Sequence, residues 1–523
     1  MSPGKGVPWV MNLIVICVDS WRADILGGRG RCNWIKAPVL ADLARQSVVF
    51  DRAFGEAMPT VQMRRGFFTG MRSFPWHHNV DGLGLSPAFL GWHRIPSCHT
   101  TLAEILLQRG YCTGLISDCY HLFKPTQNFT RGFLSWQFIR GQQGDNYRIG
   151  SLDGIDLRPY VPDGEEQDFA THAQIINHLF STRDRVFEEE YFAPQVFRTA
   201  MEWLIDAQRN SPFFLWVDSF TPHELWDPPP SYANQYFPND GTLKDFIHPG
   251  ALNRVKNPSA AQIERTKALY AGSCTLVDKW IGHLLQAIDD LGLCNDTIVM
   301  FVTDHGVELW DDGEFTKRGA MDGKLHAYNT QLSWFIRHPD GPRGLHIPGL
   351  VQNHDLLPTI LSLLDLPGSE LLDGQDAWQL VTGNKQKLRS RVVSGWGNWA
   401  SVRDDNWNCV LNPTTEDGHP KLFDLCEDPD ERVNVARFFE DVVADCRRHL
   451  EGLIGAPFPV RFKHQPDAGD YMTLSSYFKR RAALAKAEVR GPVKISIPVP
   501  SAVPTAGVAD VVAQNTTAKR KSA

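Results

Sequence analysis

No apolar run in this 523-residue chain is long enough to cross a bilayer as a helix. The first such run, Trp9 to Val18, is broken by Asn12 and closed by Asp19, with no small-residue cleavage site after it. It reads as the buried first strand of an unprocessed chain with no membrane partner. No CxxC pairing occurs among the ten cysteines. Cys17 sits inside the first apolar run and Cys112 in another, so the thiols read as free and mostly buried in a reducing, cytoplasmic setting, with a few surface disulfides as the alternative. Positive charge is not in excess either: 53 Lys and Arg stand against 60 Asp and Glu, a formal net charge of −7. That balance excludes broad nucleic-acid binding, which needs a basic face. No internal repeat is visible.

The composition is that of a globular protein, 42% hydrophobic and 22% charged, and the length allows a large core. Apolar runs at Leu13–Val18, Tyr111–Ser117, Phe213–Val217 and Thr297–Thr303 alternate with helical patterns at Val39–Arg45, Thr101–Gln108, Phe192–Gln208 and Ala260–Leu291. Such alternation implies an α/β fold, a large, mostly parallel sheet with helices on both faces. The expected organisation is a main domain over residues 8–387 and a C-terminal subdomain over 388–490. The subdomain would hold a small antiparallel sheet (Ser401–Arg403, Asn406–Leu411) and a helical stretch, Asn434–Ile454. A Pro-, Ala- and Val-rich tail over 491–523, ending in Lys519, Arg520 and Lys521, reads as disordered.

Ligand sites in parallel sheets gather beyond the carboxyl ends of the strands. Asp19, Asp118, Asp218 and Asp304 each end or follow an apolar run. Taken singly, each suits a loop start or helix cap. Taken together, Asp19, Asp304 and His305 form a candidate site for a divalent cation. Two carboxylates and an imidazole favour Mn or Zn, with Ca as the alternative.

Three segments carry a family resemblance: Asn12 to Asp24, Pro59-Thr60-Val-Gln-Met-Arg64 through Thr69-Gly70, and Ile298 to Asp304-His305-Gly306. The chain resembles the sulfatase family within the alkaline phosphatase superfamily. Further landmarks follow in order: Pro222-His223, Lys324-Leu325, Phe335 to Pro339, His354-Asp355 to Thr359, Asp373-Gly374, and Leu422 to Asn434. An ordered series is far more specific than one motif.

The resemblance implies an alkaline phosphatase-like fold and hydrolysis of a small anionic ester at a metal ion. It also locates a departure. The family's Cys-x-Pro-Ser-Arg, whose cysteine becomes formylglycine, aligns with Thr60 to Arg64, and no cysteine lies nearby. Asp19 is followed by Ser20 where many members have a second acid, and Asp24 is not counted as a ligand. Thr60 becomes the expected nucleophile and a further metal ligand, since a metal-bound hydroxyl loses its proton readily. Arg64 is expected to pair with the nucleophile or the transferring oxygens, His223 to hold an oxygen or protonate the leaving group, and Lys324, with Lys317 as its rival, to neutralise charge. Asn79, Asp118 and His121 are candidate substrate contacts. A threonine ester must be cleaved by water at phosphorus, whereas formylglycine hydrate eliminates sulfate, so phosphodiesters or phosphonate monoesters are the expected substrates. The alternatives are a sulfatase working without formylglycine, a transferase of the phospho group, and a non-catalytic binding protein on the same fold. The sequence leaves room for a homo-oligomer.

Overall fold

The computed structural model describes residues 11–26, 31–76, 90–123, 127–316, 319–368, 370–462 and 474–486. Asn79, Lys317 and the tail over 491–523 lie outside the described residues. The strands in chain order are β1 (Asn12–Val18), β2 (Val48–Phe54), β3 (Cys112–Ser117), β4 (Ser135–Phe138), β5 (Phe213–Ser219), β6 (Thr297–Thr303), β7 (Glu308–Leu309), β8 (Phe315–Thr316), β9 (Gln331–Leu332), β10 (Trp334–Arg337), β11 (Leu345–Gln352), β12 (Val392–Trp396), β13 (Trp399–Arg403), β14 (Trp407–Leu411) and β15 (Lys421–Asp424).

The nine-stranded sheet runs β11-β2-β10-β6-β1-β5-β3-β4, with β9 against β2. Its centre, β6-β1-β5-β3-β4, is wholly parallel. The exceptions are β10, antiparallel to both β2 and β6, and β9, antiparallel to β2. The two-fold alternation of β1 explains its central place. Ile14, Ile16 and Val18 enter one hydrophobic cluster, while Leu13, Val15 and Cys17 enter the other. A strand buried on both faces has no polar side to show, hence the continuous apolar run. Each fully buried Val, Ile or Leu adds about 1.5–3 kcal/mol.

The helices include α1 (Pro38–Arg45), α2 (Thr60–Thr69), α3 (Leu102–Gln108), α4 (Ala173–Thr182), α5 (Phe192–Ala207), the single turn α6 (Pro230–Ala233) and the 31-residue α7 (Ala260–Asp290). Pro38 opens α1, and Thr101 and Ser259 close capping boxes with Glu104 and Gln262 at the starts of α3 and α7. α2 differs from the others in having every residue buried, so its sequence carries no amphipathic period. It is held at close range: a Cβ on Gly66 would lie 2.2 Å from Nδ2 of Asn353. Gly70 ends the helix in the left-handed region, φ 65°.

A four-stranded antiparallel sheet, β12-β13-β14-β15, follows in the chain. It is joined to the segment before α2 by the Ala57–Gly395 bridge, with Met58 N–H donating to the Gly395 carbonyl and Gly395 N–H to that of Glu56. The α-helix expected over Asn434–Ile454 begins only at Glu440. A 3-10 turn covers Ala436–Phe438, and Phe439 at φ −133° breaks the spiral between them. The Asn434 side chain accepts from the Leu422 and Ala436 amides, a local alternative to helical bonding that short polar side chains offer. All ten cysteines are free. Among the described residues no helix is long and apolar enough to cross a membrane. Among the described residues, those from Lys479 to Lys486 form a unit separate from the rest.

Candidate active site

Parallel register puts four acids side by side. Val18 of β1 is level with Thr303 of β6 and Ser219 of β5, and Asp218 of β5 is level with Ser117 of β3. Asp304, Asp19, Asp218 and Asp118 therefore stand at the carboxyl ends of four successive strands, all fully buried.

Asp19, Asp304 and His305 converge, each offering a ligand atom within 4.8 Å of the others. The backbone enforces this. Ser20 adopts φ 56°, a conformation uncommon for a side-chain-bearing residue. Its N–H donates to Asp304 Oδ1 at 2.9 Å and its hydroxyl to Asp19 Oδ1 at 2.6 Å. Tyr270 of α7 donates to the Ser20 carbonyl at 2.9 Å. Asp304 Oδ1 also accepts from the His305 amide at 2.6 Å. Burial, followed by the nearby Asp19, pushes the Asp304 carboxyl well above its ordinary value against the pull of Arg64.

His305 Nδ1 lies 2.8 Å from the Gly306 carbonyl. An N–H donated there leaves the lone pair on Nε2, which lies 3.5 Å from Asp304 Oδ2 and 3.9 Å from Asp19 Oδ1. A lone pair facing two carboxylates is repelled by them, and a cation between them turns repulsion into ligation. The donor set therefore fits a divalent metal ion.

Arg64, one turn into α2, is fully buried. Its Nε and Nη2 donate to Asp218 at 2.8 Å each. Its Nη1 reaches Asp304 Oδ2 at 2.6 Å, Asp19 Oδ2 at 3.1 Å and the Thr60 carbonyl at 3.4 Å. Burial opposes its charge, but Asp218 and the other acids outweigh that and hold it well above its ordinary value. One guanidinium thus serves three carboxylates and fixes the first turn of α2, where Thr60 sits 2% exposed. The opening amides of a helix are unpaired within it and favour an anion.

A second group gathers round Phe220. Asp118 accepts the Phe220 amide at 2.6 Å and the Gln142 side chain at 2.9 Å, and Gln142 also donates to Thr221 at 3.1 Å. Burial pushes Asp118 up to about 7 in spite of those donors. His223 stacks on Phe220, centroids 4.1 Å apart, with Nδ1 2.6 Å from the Glu224 carbonyl. His121 packs edge-on against Trp92 at 4.9 Å and Phe220 at 5.8 Å. Asp118, His121 and His223 thus share one wall, on strand ends adjoining Asp218. Lys324 is placed differently: Nζ donates to Glu308 at 2.8 Å and lies 3.6 Å from Asp312. Glu308 is pushed up to about 7 by burial despite that lysine.

Asp24 lies apart, paired with Arg22 at 2.6 Å. Sequence reading noted Asp218 as a strand-end acid but assigned it no part. Its partner Arg64 lies 154 residues away, and only the position of Asp218 among the strand-end acids hinted at the pairing. Ser20 and Glu308 gave no such signal.

Three comparisons bear on this arrangement. The sulfatase family model matches residues 11–366. The arylsulfatase of Clostridium perfringens is 25% identical over 457 residues, 81% of this chain and 90% of that protein. The phosphonate monoester hydrolase of Agrobacterium radiobacter has the same fold, with TM-score 0.63 and 19% identity over 85% of this chain and 95% of that one. The enzyme of that name from Silicibacter pomeroyi gives 0.61 and 18%, covering 85% and 94%.

Proposed function

This chain belongs to the sulfatase family and is an ester hydrolase, and from that premise we propose that it cleaves phosphate-type esters, phosphodiesters or phosphonate monoesters, with Thr60 as nucleophile. The observation that carries this reading is a threonine, not a cysteine, opening the buried helix α2, whose first turn is tied through Arg64 to Asp19 and Asp304. Two fold neighbours, the phosphonate monoester hydrolases of Agrobacterium radiobacter and Silicibacter pomeroyi, are in keeping with it.

Asp19, Asp304, His305 and the Thr60 hydroxyl would hold the divalent ion, with Mn or Zn favoured. When bound, that ion supplies positive charge that acidifies a hydroxyl and offsets charge on the ester oxygens. Thr60 Oγ1 releases its proton to water and bonds to phosphorus as the bond to the leaving alcohol breaks. His223, whose Nδ1 faces the Glu224 carbonyl, gives the departing oxygen its Nε2 proton from the imidazolium form and recovers one from the water that next attacks phosphorus. Water then attacks phosphorus, and the Thr60 ester is cleaved. Arg64 orients the acids and the helix turn. Lys324, whose Nζ is shared with Glu308 and Asp312, answers charge on the transferring group, and Asp118 and His121 meet the rest of the substrate.

The direct test is to quench turnover of bis(p-nitrophenyl) phosphate with acid and analyse the peptides by mass spectrometry. A phosphoryl adduct on Thr60 supports the reading. Burst kinetics with the adduct on another residue, or turnover unchanged in Thr60→Ala, overturns it.

A further inference from the structure

An arginine-lined cavity of about 580 Å³ lies away from the strand ends. Its lining includes Arg72, Arg389, Arg391, Arg448, His449 and Gln375 and, among the described residues, no Asp or Glu. The acids stand behind the arginines. Arg389 is held by Asp355, Nη2 to Oδ1 at 2.7 Å. Arg391 is held by Asp404 at 3.3 Å and Asp445 at 2.5 Å, and Arg448 by Asp445 at 3.2 Å. Those bonds orient Arg389 and Arg391 and leave Nη1 of Arg391 and Nε and Nη1 of the exposed Arg448 available. Arg72 is anchored by its backbone, its N–H donating to Asp373 at 2.8 Å. Four arginines stand beside four acids, Asp355, Asp373, Asp404 and Asp445, so an anion here would be drawn by the N–H groups left unused and not by net charge.

The cavity is separate from the acids at the strand ends. Arg72 follows the C-terminal end of α2, and nine residue steps along the helix, about 14 Å, separate that end from Thr60. Arg391 and Val393 lie at the start of β12, whose far end, Trp396, faces His305 with ring centroids 6.3 Å apart. Gln352 donates to the Val393 carbonyl at 2.9 Å, and the next residue, Asn353, donates to Met63 of α2 at 3.1 Å. α2 and β12 thus both run from this cavity to the site.

We propose that the cavity is a second binding site for a small molecule bearing a tetrahedral oxyanion, a phosphate or sulfate group, recognised by Arg72, Arg391 and Arg448 with Gln375 and His449 at its rim. The guanidinium N–H groups that remain donate singly to such oxygens from several sides. The volume exceeds what one inorganic ion fills, leaving room for an organic body.

The test is calorimetric titration of the full chain with inorganic phosphate, inorganic sulfate and glucose 6-phosphate, comparing wild type with Arg72→Ala/Arg448→Ala. The expected result is a binding event that weakens about tenfold or more in the variant, while ester turnover without added anion is unchanged. Equal affinities assign the site to the free ion, and tighter binding of glucose 6-phosphate assigns it to an ester; either supports the proposal. Superimposable titrations of wild type and variant, or no binding event for any probe up to millimolar concentration, overturn it. Should the double variant not fold, Arg448→Ala, at a side chain 67% exposed, and Arg72→Gln give the same comparison singly.

Discussion

Asp218→Asn isolates the contact that organises the strand-end acids. The substitution keeps the volume and one acceptor oxygen, so the Trp216 indole, which donates to Oδ2 at 3.1 Å, can still be satisfied. What is lost is the bidentate pairing with Arg64, two bonds of 2.8 Å between fully buried groups. An amide NH₂ would instead face a guanidinium N–H. Removing one partner of a buried ion pair costs about 3–5 kcal/mol. The value here belongs at the lower end, because Arg64 keeps Asp304 and Asp19 as counter-charges. Packing does not change, so the loss should leave the denaturant dependence alone. Urea unfolding of wild type and variant should show a lower midpoint with an unchanged slope. A difference within about 1 kcal/mol, the worth of one neutral hydrogen bond, would refute the claim that Asp218 holds Arg64 in place.

Gly306→Ala would set a Cβ 1.9 Å from the Tyr328 carbonyl, a backbone atom that cannot swing away. The displaced His305 should lower metal content and cut turnover about a hundredfold, and wild-type metal content and rate would contradict this. Burial pushes the Glu56 carboxyl up to about 7, against the amides of Ser73 and Phe74, from an ordinary 4.5. The folded state therefore holds that proton more tightly, and the resulting stability is complete below pH 4.5 and lost as pH rises through about 7. Glu56→Gln should remove about 3 kcal/mol from the fall in stability over that window; thermal midpoints at several pH values with a wild-type slope would overturn it. Chelation should abolish turnover, and Mn or Zn should restore it better than Mg or Ca. Full activity in excess chelator would remove the metal from the account.

The strand-end acids were legible because a continuous apolar run ending in Asp is a local signal. Asp19, Asp304 and His305 could be grouped before any geometry was known, and parallel pairing of β1 with β6 brings them together. The antiparallel β10 between β2 and β6 left no such mark, since Trp334–Arg337 reads as one more short strand whichever way it runs. α2 was placed by family resemblance, because a helix buried on every face has no period to read. Arg64 looked like a group aimed at substrate. Its commitment to Asp218, Asp19 and Asp304 depends on contacts across the sheet that spacing does not encode. Lys324 likewise meets Glu308, sixteen residues earlier, through the turn after β6.

The central claim, a threonine nucleophile acting on phosphorus, is tested most directly by one rate comparison. Wild type and Thr60→Ala, both supplied with Mn or Zn, are offered p-nitrophenyl sulfate, p-nitrophenyl phosphate, bis(p-nitrophenyl) phosphate and p-nitrophenyl phenylphosphonate. The account predicts fastest turnover of the diester or phosphonate ester and its loss in Thr60→Ala. Faster cleavage of the sulfate ester, or a Thr60→Ala variant as active as wild type, would contradict it.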